Sequence, residues 1–318
     1  MYTNTETEDL LKSSKAFFAL INASNIIETD TTNIESLRTV LRFHEYRYYV
    51  LAEPLITDFE YDQLFKLLQK VESTHPSLIT KDSPTQRVGS SLNDGFATVQ
   101  HLVPMLSLDN SYNADDLQDF DRKAREASGL NEIEYCVEPK FDGASVSLIY
   151  ENDLLARATT RGDGVEGDDI TTNVKQIRSI PLTAPFSKYG IEQIEIRGEI
   201  IMTKDSFNKY NEWLTQQGLQ PVANPRNTAA GSLRIKDPKE VARRNLDAFL
   251  YHVSYVVNRE SDVTNTGESR LTIPDLLNTH SGSLNLLWNC GFRSPEKEKR
   301  VVKGIQGVID YVLEFEQQ

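Results

Sequence analysis

The sequence predicts an α+β protein, in which a small helical N-terminal domain precedes a domain of antiparallel sheets with flanking helices. Three observations carry the prediction. Side chains suited to a buried stripe recur at spacings of three and four through Ile34, Leu37, Leu41, His44, Tyr48 and Leu51, and again through Tyr61, Leu64, Phe65 and Leu68. "ASVSLIY" and "LLARATT" are joined by the polar turn "END", which reads as an antiparallel hairpin. "IEQIEIRGEII" alternates as a strand with Glu195, Arg197 and Glu199 on one face. At 318 residues the chain can bury a large core and reads as two domains rather than one.

Residues 1–33 are rich in Thr, Asn, Ser and Glu, with an amphipathic stretch around "LLKSSKAFFALI", and are expected to be a partly mobile extension. The first helix follows from Ile34. Thr57 with Glu60 three residues on is a capping-box signature that starts a second helix in "TDFEYDQLFKLLQKVE", making a helical hairpin. The turn-rich "THPSLITKDSPTQRVGSSLNDG" is read as the linker, so the helical domain spans 34–95 and the sheet domain 96–318.

In the second domain a helix is expected in "NADDLQDFDRKAREA", then a strand through "CVEPKFDG". Alternation along that strand sets Glu138, Lys140 and Asp142 on one face and Val137 and Phe141 on the other, with Gly143 permitting a bend. Two readings stay open here: a surface ladder of charges, or a reactive edge. Ile170, Val174 and Ile177 form a helical face that Pro181 ends, and a further helix runs through Phe207, Tyr210 and Leu214. "LDAFLYHVSYVV" reads as a strand, 258–285 as a long polar loop, and "VVKGIQGVIDYVLEFEQQ" as a helix.

Composition narrows the function. With 39% hydrophobic and 25% charged residues this is an ordinary soluble composition. No run approaches a membrane span, and "MYTNTETEDLL" is acidic where a secretory signal would be basic, so a cytoplasmic location is expected. Two cysteines, Cys136 and Cys290, support neither a disulfide framework nor a zinc site and read as buried small hydrophobes. A net charge of -13 argues against tight unaided binding of nucleic acid. The exception is "NPRNTAAGSLRIKDPKEVARRN", whose Arg226, Arg234, Lys236, Lys239, Arg243 and Arg244 form the one plausible phosphate contact.

"GDGVEG", Gly162 to Gly167, satisfies G-x-G-x-x-G, the dinucleotide fingerprint. That fingerprint belongs to a parallel βαβ unit, whereas the strands before it here are joined by a short antiparallel turn. Asp163, Glu166, Asp168 and Asp169 would also repel a pyrophosphate. The better reading brings Arg161 toward the site built around Lys140.

"EPKFDG" resembles the K-x-D-G nucleophile motif of covalent nucleotidyltransferases. "HEYRYYVLAEPLITDFEYDQL", "DSPTQRVG", "HLVPMLSLDN", "ATTRGDGVEGDDITTNV", "IRGEI" and "NPRNTAAGSLR" resemble, in order and spacing, the NAD-dependent DNA ligases of bacteria. The likeness is strong over residues 34 to 256. It implies a nucleotidyltransferase fold of the DNA ligase and capping-enzyme type in the second domain and a nicotinamide mononucleotide-binding role for the first. Lys140 would attack the α-phosphate of NAD, expel nicotinamide mononucleotide and hold AMP as a phosphoramidate, later passed to a DNA 5′-phosphate for nick sealing in replication and repair.

Carried over position by position, the resemblance implies that Glu138 holds the adenine edge, Glu199 the ribose, and Arg161, Ser107 and Leu108 the nucleotide. Mg²⁺ (Mn²⁺ as a substitute) is the metal implied, with Asp142 orienting it or its waters and no zinc in this portion. Nearby carboxylates favour the charged form of an amine, so something must offset Glu138 and Asp142 if Lys140 is to be a nucleophile. The cationic nicotinamide ring wants aromatic faces and carboxylates, which Tyr48, Asp58, Tyr61 and Asp62 would supply. Without the resemblance, the favoured reading is an aspartate pair complementing the helix dipole beside core tyrosines. Arg226 and Arg234 would meet DNA phosphates; nicked duplex DNA is the implied partner, held weakly by this portion alone, and a monomer is expected.

Two departures stand out. Tyr49 occupies a position where the family often has histidine. The chain also ends before a strand reading roughly D-G-V-V-I-K-V-N, so a truncated adenylation domain is expected. A non-catalytic NAD- or AMP-binding fragment is the alternative this leaves open, and an ATP-dependent ligase or capping enzyme is disfavoured by the tyrosine-and-aspartate helical hairpin.

Overall fold

Thr3 starts the first helix with a reciprocal cap. Its hydroxyl accepts from the Glu6 N–H, and the Glu6 carboxylate accepts from the Thr3 N–H. This cap starts α1 (Asn4–Asn22), and Phe17 from α1 is buried against α2 (Ile34–Glu45) and α3 (Asp58–Thr74). The expected extension is therefore, over 4–22, a packed helix: Leu10, Phe17, Phe18 and Ile21 form a stripe whose burial outweighs the polar composition. The computed structural model describes residues 2–22, 33–87, 95–258 and 276–317, so the mobility expected of 23–32 lies outside the described residues.

The helical hairpin forms as its periodicity predicts. Leu37, Val40, Leu41, Leu64 and Leu68 are fully buried between α2 and α3. The capping box at α3 is present in both directions between Thr57 and Glu60. A buried ion pair, Arg38 Nη2 to Glu72 Oε1 at 2.8 Å, crosses the hairpin, and Glu72 also accepts from the Ser83 hydroxyl at 2.7 Å, so the buried carboxylate is solvated by the protein itself. The first helix does not stay α-helical to Leu51. Its last turn, Tyr46–Val50, widens to π geometry, which turns Tyr48 and Tyr49 outward from the hairpin core.

The second unit is built on one four-stranded antiparallel sheet in the order β4-β3-β6-β7. Ahead of it come β1 (Thr98–Gln100), α4 (Ala114–Ser128) and β2 (Glu134–Val137). β3 (Ala144–Glu151) and β4 (Leu154–Thr160) are the predicted hairpin, and its turn residues Asn152 and Asp153 have φ of 49° and 70°, the pair of left-handed conformations that a two-residue turn needs. β5 (Glu166–Asp168) pairs antiparallel with β1, not within a parallel βαβ unit, so the glycine motif is a turn between antiparallel strands. α5 (Thr171–Val174) is a single turn; Ile170, Val174 and Ile177 are buried as expected, but the helix ends well before Pro181.

β6 (Ile191–Ile201) lies between β3 and β7 (Asp247–Asn258), with α6 (Lys204–Gln216), α7 (Pro225–Ser232) and α8 (Pro238–Arg243) in between along the chain. Residues 258–285 are not all loop. Thr279 caps α9 (His280–Asn289), whose Leu284, Leu286 and Leu287 are buried; the rest of that expectation, 259–275, lies outside the described residues. The final segment is likewise split into β8 (Arg300–Lys303) and α10 (Gly304–Phe315), because β8 is taken as the partner of β2. Cys290 is buried, whereas Cys136 is half-buried on β2.

That pairing corrects the reading of "CVEPKFDG". β2 stops at Val137, and 138–143 form a loop that leads from the small β2–β8 ribbon into β3 of the main sheet. Pro139 has no N–H to give to a ladder, so the strand cannot run on through it.

The two units meet through Arg87. Its guanidinium donates to the carbonyls of Lys175 at 3.1 Å and Ile180 at 3.0 Å in the sheet unit, and pairs with Glu45 of α2 at 3.4 Å.

Candidate functional site

Lys140 sits exposed at the middle of the 138–143 loop, and its amine makes no hydrogen bond or ion pair among the described residues. The loop is fixed on both sides of it. Phe141 stacks on Phe249 of β7 with ring centroids 4.0 Å apart. Gly143 passes so close to β6 that an added Cβ would stand 2.1 Å from the Ile200 carbonyl oxygen, which only glycine permits.

The carboxylates flanking the lysine are each engaged elsewhere. Asp142 Oδ1 pairs with Arg226 Nε at 3.1 Å, and Glu138 Oε1 is 2.9 Å from His280 Nε2 at the start of α9. Behind the lysine, Glu199 of β6 accepts from the Ser145 hydroxyl at 2.9 Å, with the Tyr251 hydroxyl at 3.4 Å. Burial pushes the Glu199 carboxyl above its ordinary range, against those hydrogen bonds and the positive charge of Lys140, so Lys140 and Glu199 feel one another.

Arg161 and Ser107 come together as their motifs suggest. Arg197 donates to the Pro104 carbonyl at 3.1 Å and pins the 103–108 loop on the sheet; Arg161 Nη2 then reaches the Ser107 hydroxyl at 2.9 Å. Leu108 on the same loop is 79% exposed, an apolar side chain with nothing of this chain over it. The basic window is less free than its composition suggests: Arg226 is held by Asp142, Arg234 by Asp168 at 2.6 Å, and Arg243 by Glu240.

Tyr48, Asp58, Tyr61 and Asp62 line one cavity of about 260 Å³ on the helical unit. Side chains that the pattern analysis left out complete it: Tyr49, Glu45, and Arg178 from the sheet unit. The Tyr61 hydroxyl donates to Glu45 at 3.0 Å, and burial raises the Tyr61 phenol well above its ordinary value. Arg178 lies 5.6 Å from the Tyr49 ring centroid and 3.8 Å from Glu45. Glu45 was legible only as a member of the "HEY" run, and nothing in "QIRSIP" marks Arg178 as a neighbour of it. A second cavity, about 300 Å³, lies at the junction of the two units beside Arg42, Arg87 and Lys188, and contains none of these site residues except Glu45 and Arg178.

Among the described residues no group of three or more His, Cys, Asp or Glu side chains could hold a metal ion, and no helix is long and apolar enough to cross a membrane.

An unpaired lysine on the loop leading into the main sheet, together with a separate helical unit that carries its own aromatic and acidic cavity, fits one class, the adenylation domains that work with an N-terminal NAD⁺-binding domain. Residues 93–318 match the family model described as NAD-dependent DNA ligase adenylation domain, and residues 27–89 the one described as DNA ligase-like, N-terminal NAD⁺-binding domain. The chain belongs to the NAD-dependent DNA ligase family. Among its relatives, proteins named DNA ligase from Persephonella marina, Sulfurihydrogenibium azorense and Aquifex aeolicus are 54%, 51% and 47% identical. The matches cover 90%, 100% and 100% of this chain and 39%, 44% and 42% of those relatives. The chain thus spans about two fifths of the length of the curated relatives it matches.

Proposed function

We propose that this chain is the self-adenylating portion of an NAD-dependent DNA ligase, with Lys140 as its nucleophile. The observation that carries the reading is the state of the lysine loop: the amine is unpaired while the carboxylates on either side are taken by Arg226 and His280. Arg226 thereby offsets the charge of Asp142, one of the two carboxylates that flank the lysine. The lone pair of Lys140 Nζ forms a bond to the α-phosphorus of NAD, the bond from that phosphorus to the bridging oxygen breaks, nicotinamide mononucleotide leaves with the electron pair, and an amine proton passes to solvent.

The other residues hold the substrate. Glu138 takes the adenine edge and Glu199 the ribose hydroxyls, while Arg161, oriented by Ser107, balances phosphate charge and Leu108 covers the base. Tyr48, Asp58, Tyr61 and Asp62 hold the cationic nicotinamide half, with Arg178 closing the cavity from the sheet unit. Asp142 orients Arg226, and Arg226 and Arg234 exchange their carboxylate partners for DNA phosphates once other parts of the ligase hold the duplex. AMP then moves from Lys140 to the DNA 5′-phosphate, and a 3′-hydroxyl displaces it. Domain limits at 34–95 and 96–318, a monomeric chain and a cytoplasmic location belong to the same reading.

The Mg²⁺ that goes with the family would be held with Asp142 orienting it or its waters once Arg226 turns to phosphate, although no group of three or more donor side chains is present among the described residues. Such an ion is characteristically carried by substrate phosphates with one or two carboxylates, and none of the steps above is assigned to it.

The test is intact mass after incubation with NAD and Mg²⁺. One AMP on wild type and none on Lys140→Ala is the expected result. An adduct that survives Lys140→Ala would overturn the assignment, as would no adduct on a longer chain that continues through the strand expected after residue 318.

A further inference from the structure

The Glu138 carboxylate is divided between two environments. Oε1 is 2.9 Å from His280 Nε2, whereas Oε2 is buried and has no hydrogen-bond partner among the described residues. A buried carboxylate oxygen without a donor is costly, so it marks a position where a bound group supplies the missing N–H. His280 comes from the first turn of α9, 142 residues along the chain, and Thr279 fixes that turn by accepting from the Gly282 N–H at 3.1 Å. The backbone of Glu138 is set by β2 ending at Val137 and by Pro139 behind it, so the side chain has one firm contact and one free acceptor.

We infer that His280 is a positioning residue that orients Glu138 to accept from a purine 6-amino group and thereby makes the site discriminate 6-amino from 6-oxo purines. This rests on the proposed adenine-edge role of Glu138. A 6-amino purine donates N–H to Oε2; a 6-oxo purine turns a carbonyl oxygen toward the same carboxylate, leaving Oε2 unpaired and adding repulsion. With His280 in place Oε1 is occupied, and the carboxylate cannot swing to solvent or rotate to relieve that clash. Without it both oxygens are free to turn away, and the penalty on the 6-oxo base falls.

The experiment is calorimetric titration of the 318-residue chain with NAD and with nicotinamide hypoxanthine dinucleotide, which differ only at that purine position. Wild type should bind NAD more tightly by roughly 10- to 100-fold. His280→Ala should bring the ratio of dissociation constants within about 3-fold of unity, and His280→Gln, whose amide can still donate to Oε1, should restore most of it. Thermal unfolding of each variant alongside separates a lost fold from a lost preference. If Glu138→Ala leaves the wild-type ratio untouched, the adenine-edge reading fails and the inference with it. If Glu138→Ala abolishes the preference but His280→Ala keeps it, only the role of His280 fails. Equal binding of both dinucleotides by wild type, or binding of neither, overturns both.

Discussion

Lowering the pH from about 7.5 to 5 should loosen the helical unit through a single side chain, His44. The Ser14 hydroxyl donates to the Leu10 carbonyl at 2.8 Å, so toward His44 it can only accept, and Nε2 at 2.9 Å must carry the proton. Nδ1 is then the bare nitrogen, buried without a partner, and a proton placed there would find no acceptor. Burial accordingly holds the imidazole down to about 4 from an ordinary 6.5, with the charge of Glu60 opposing and that of Arg47 reinforcing. A depressed histidine binds its proton in the unfolded chain first, so stability is full above the unfolded value near 6.5 and falls as the pH drops toward the folded value near 4. At 1.36 kcal/mol per unit the whole shift is worth ~3 kcal/mol, of which ~2 kcal/mol is lost by pH 5. Both tryptophans, Trp213 and Trp288, lie outside the helical unit, so fluorescence would miss the change; peptide-resolved hydrogen exchange over α1 and α2 reads it directly. His44→Gln keeps a neutral hydrogen-bonding group, and its α1 and α2 protection should vary less with pH than that of wild type by ~2 kcal/mol. Parallel loss of protection in the two proteins would refute the reasoning, because the titrating group would then be another one.

In a full-length ligase, Asp58→Ala or Tyr61→Ala should slow reaction with NAD by at least ~100-fold while leaving nick sealing from pre-formed enzyme-AMP within a few-fold of wild type; equal loss in both assays would return these residues to a purely helix-stabilising role. The 318-residue chain alone should bind nicked duplex DNA more weakly than ~10 μM at physiological salt, with affinity rising as salt is lowered, because a net charge of -13 opposes approach and Arg226, Arg234 and Arg243 are already ion-paired. Fluorescence anisotropy at two salt concentrations checks it, and tight, salt-insensitive binding would contradict it.

Local signals were legible in the sequence and long-range ones were not. The Thr57–Glu60 capping box and the Asn152–Asp153 turn are short-range devices that act through their own backbone, and both appear as their spacing requires. Alternation around Lys140 misled, since a loop can carry the same every-other pattern as a strand; what ends β2 is Pro139 and the pairing of Val137 with Arg300, far away in sequence. In α1 and α9 polar residues dominate a composition window, so they look like extension and loop, although a few leucines and phenylalanines decide their packing. The candidate site was legible in its motif residues. Its supports were not: His280 reaches Glu138, and Arg178 reaches Glu45, only because the fold brings distant segments together.

The Arg87 clasp also bears on how the protein is made. The core of the helical unit draws on residues between Phe17 and Val71, so it is complete soon after the linker leaves the ribosome. Arg87, however, needs the Ile180 carbonyl, 93 residues later. At elongation rates of ~5–20 residues per second that interval is ~5–20 s. During it the first unit is folded but undocked, with the Arg87 guanidinium and the Glu45 carboxylate accessible to water. Docking therefore follows the folding of the helical unit, timed by the emergence of the turn after α5, and a pause before that turn would prolong the window in which the nascent chain exposes this face to chaperones and proteases.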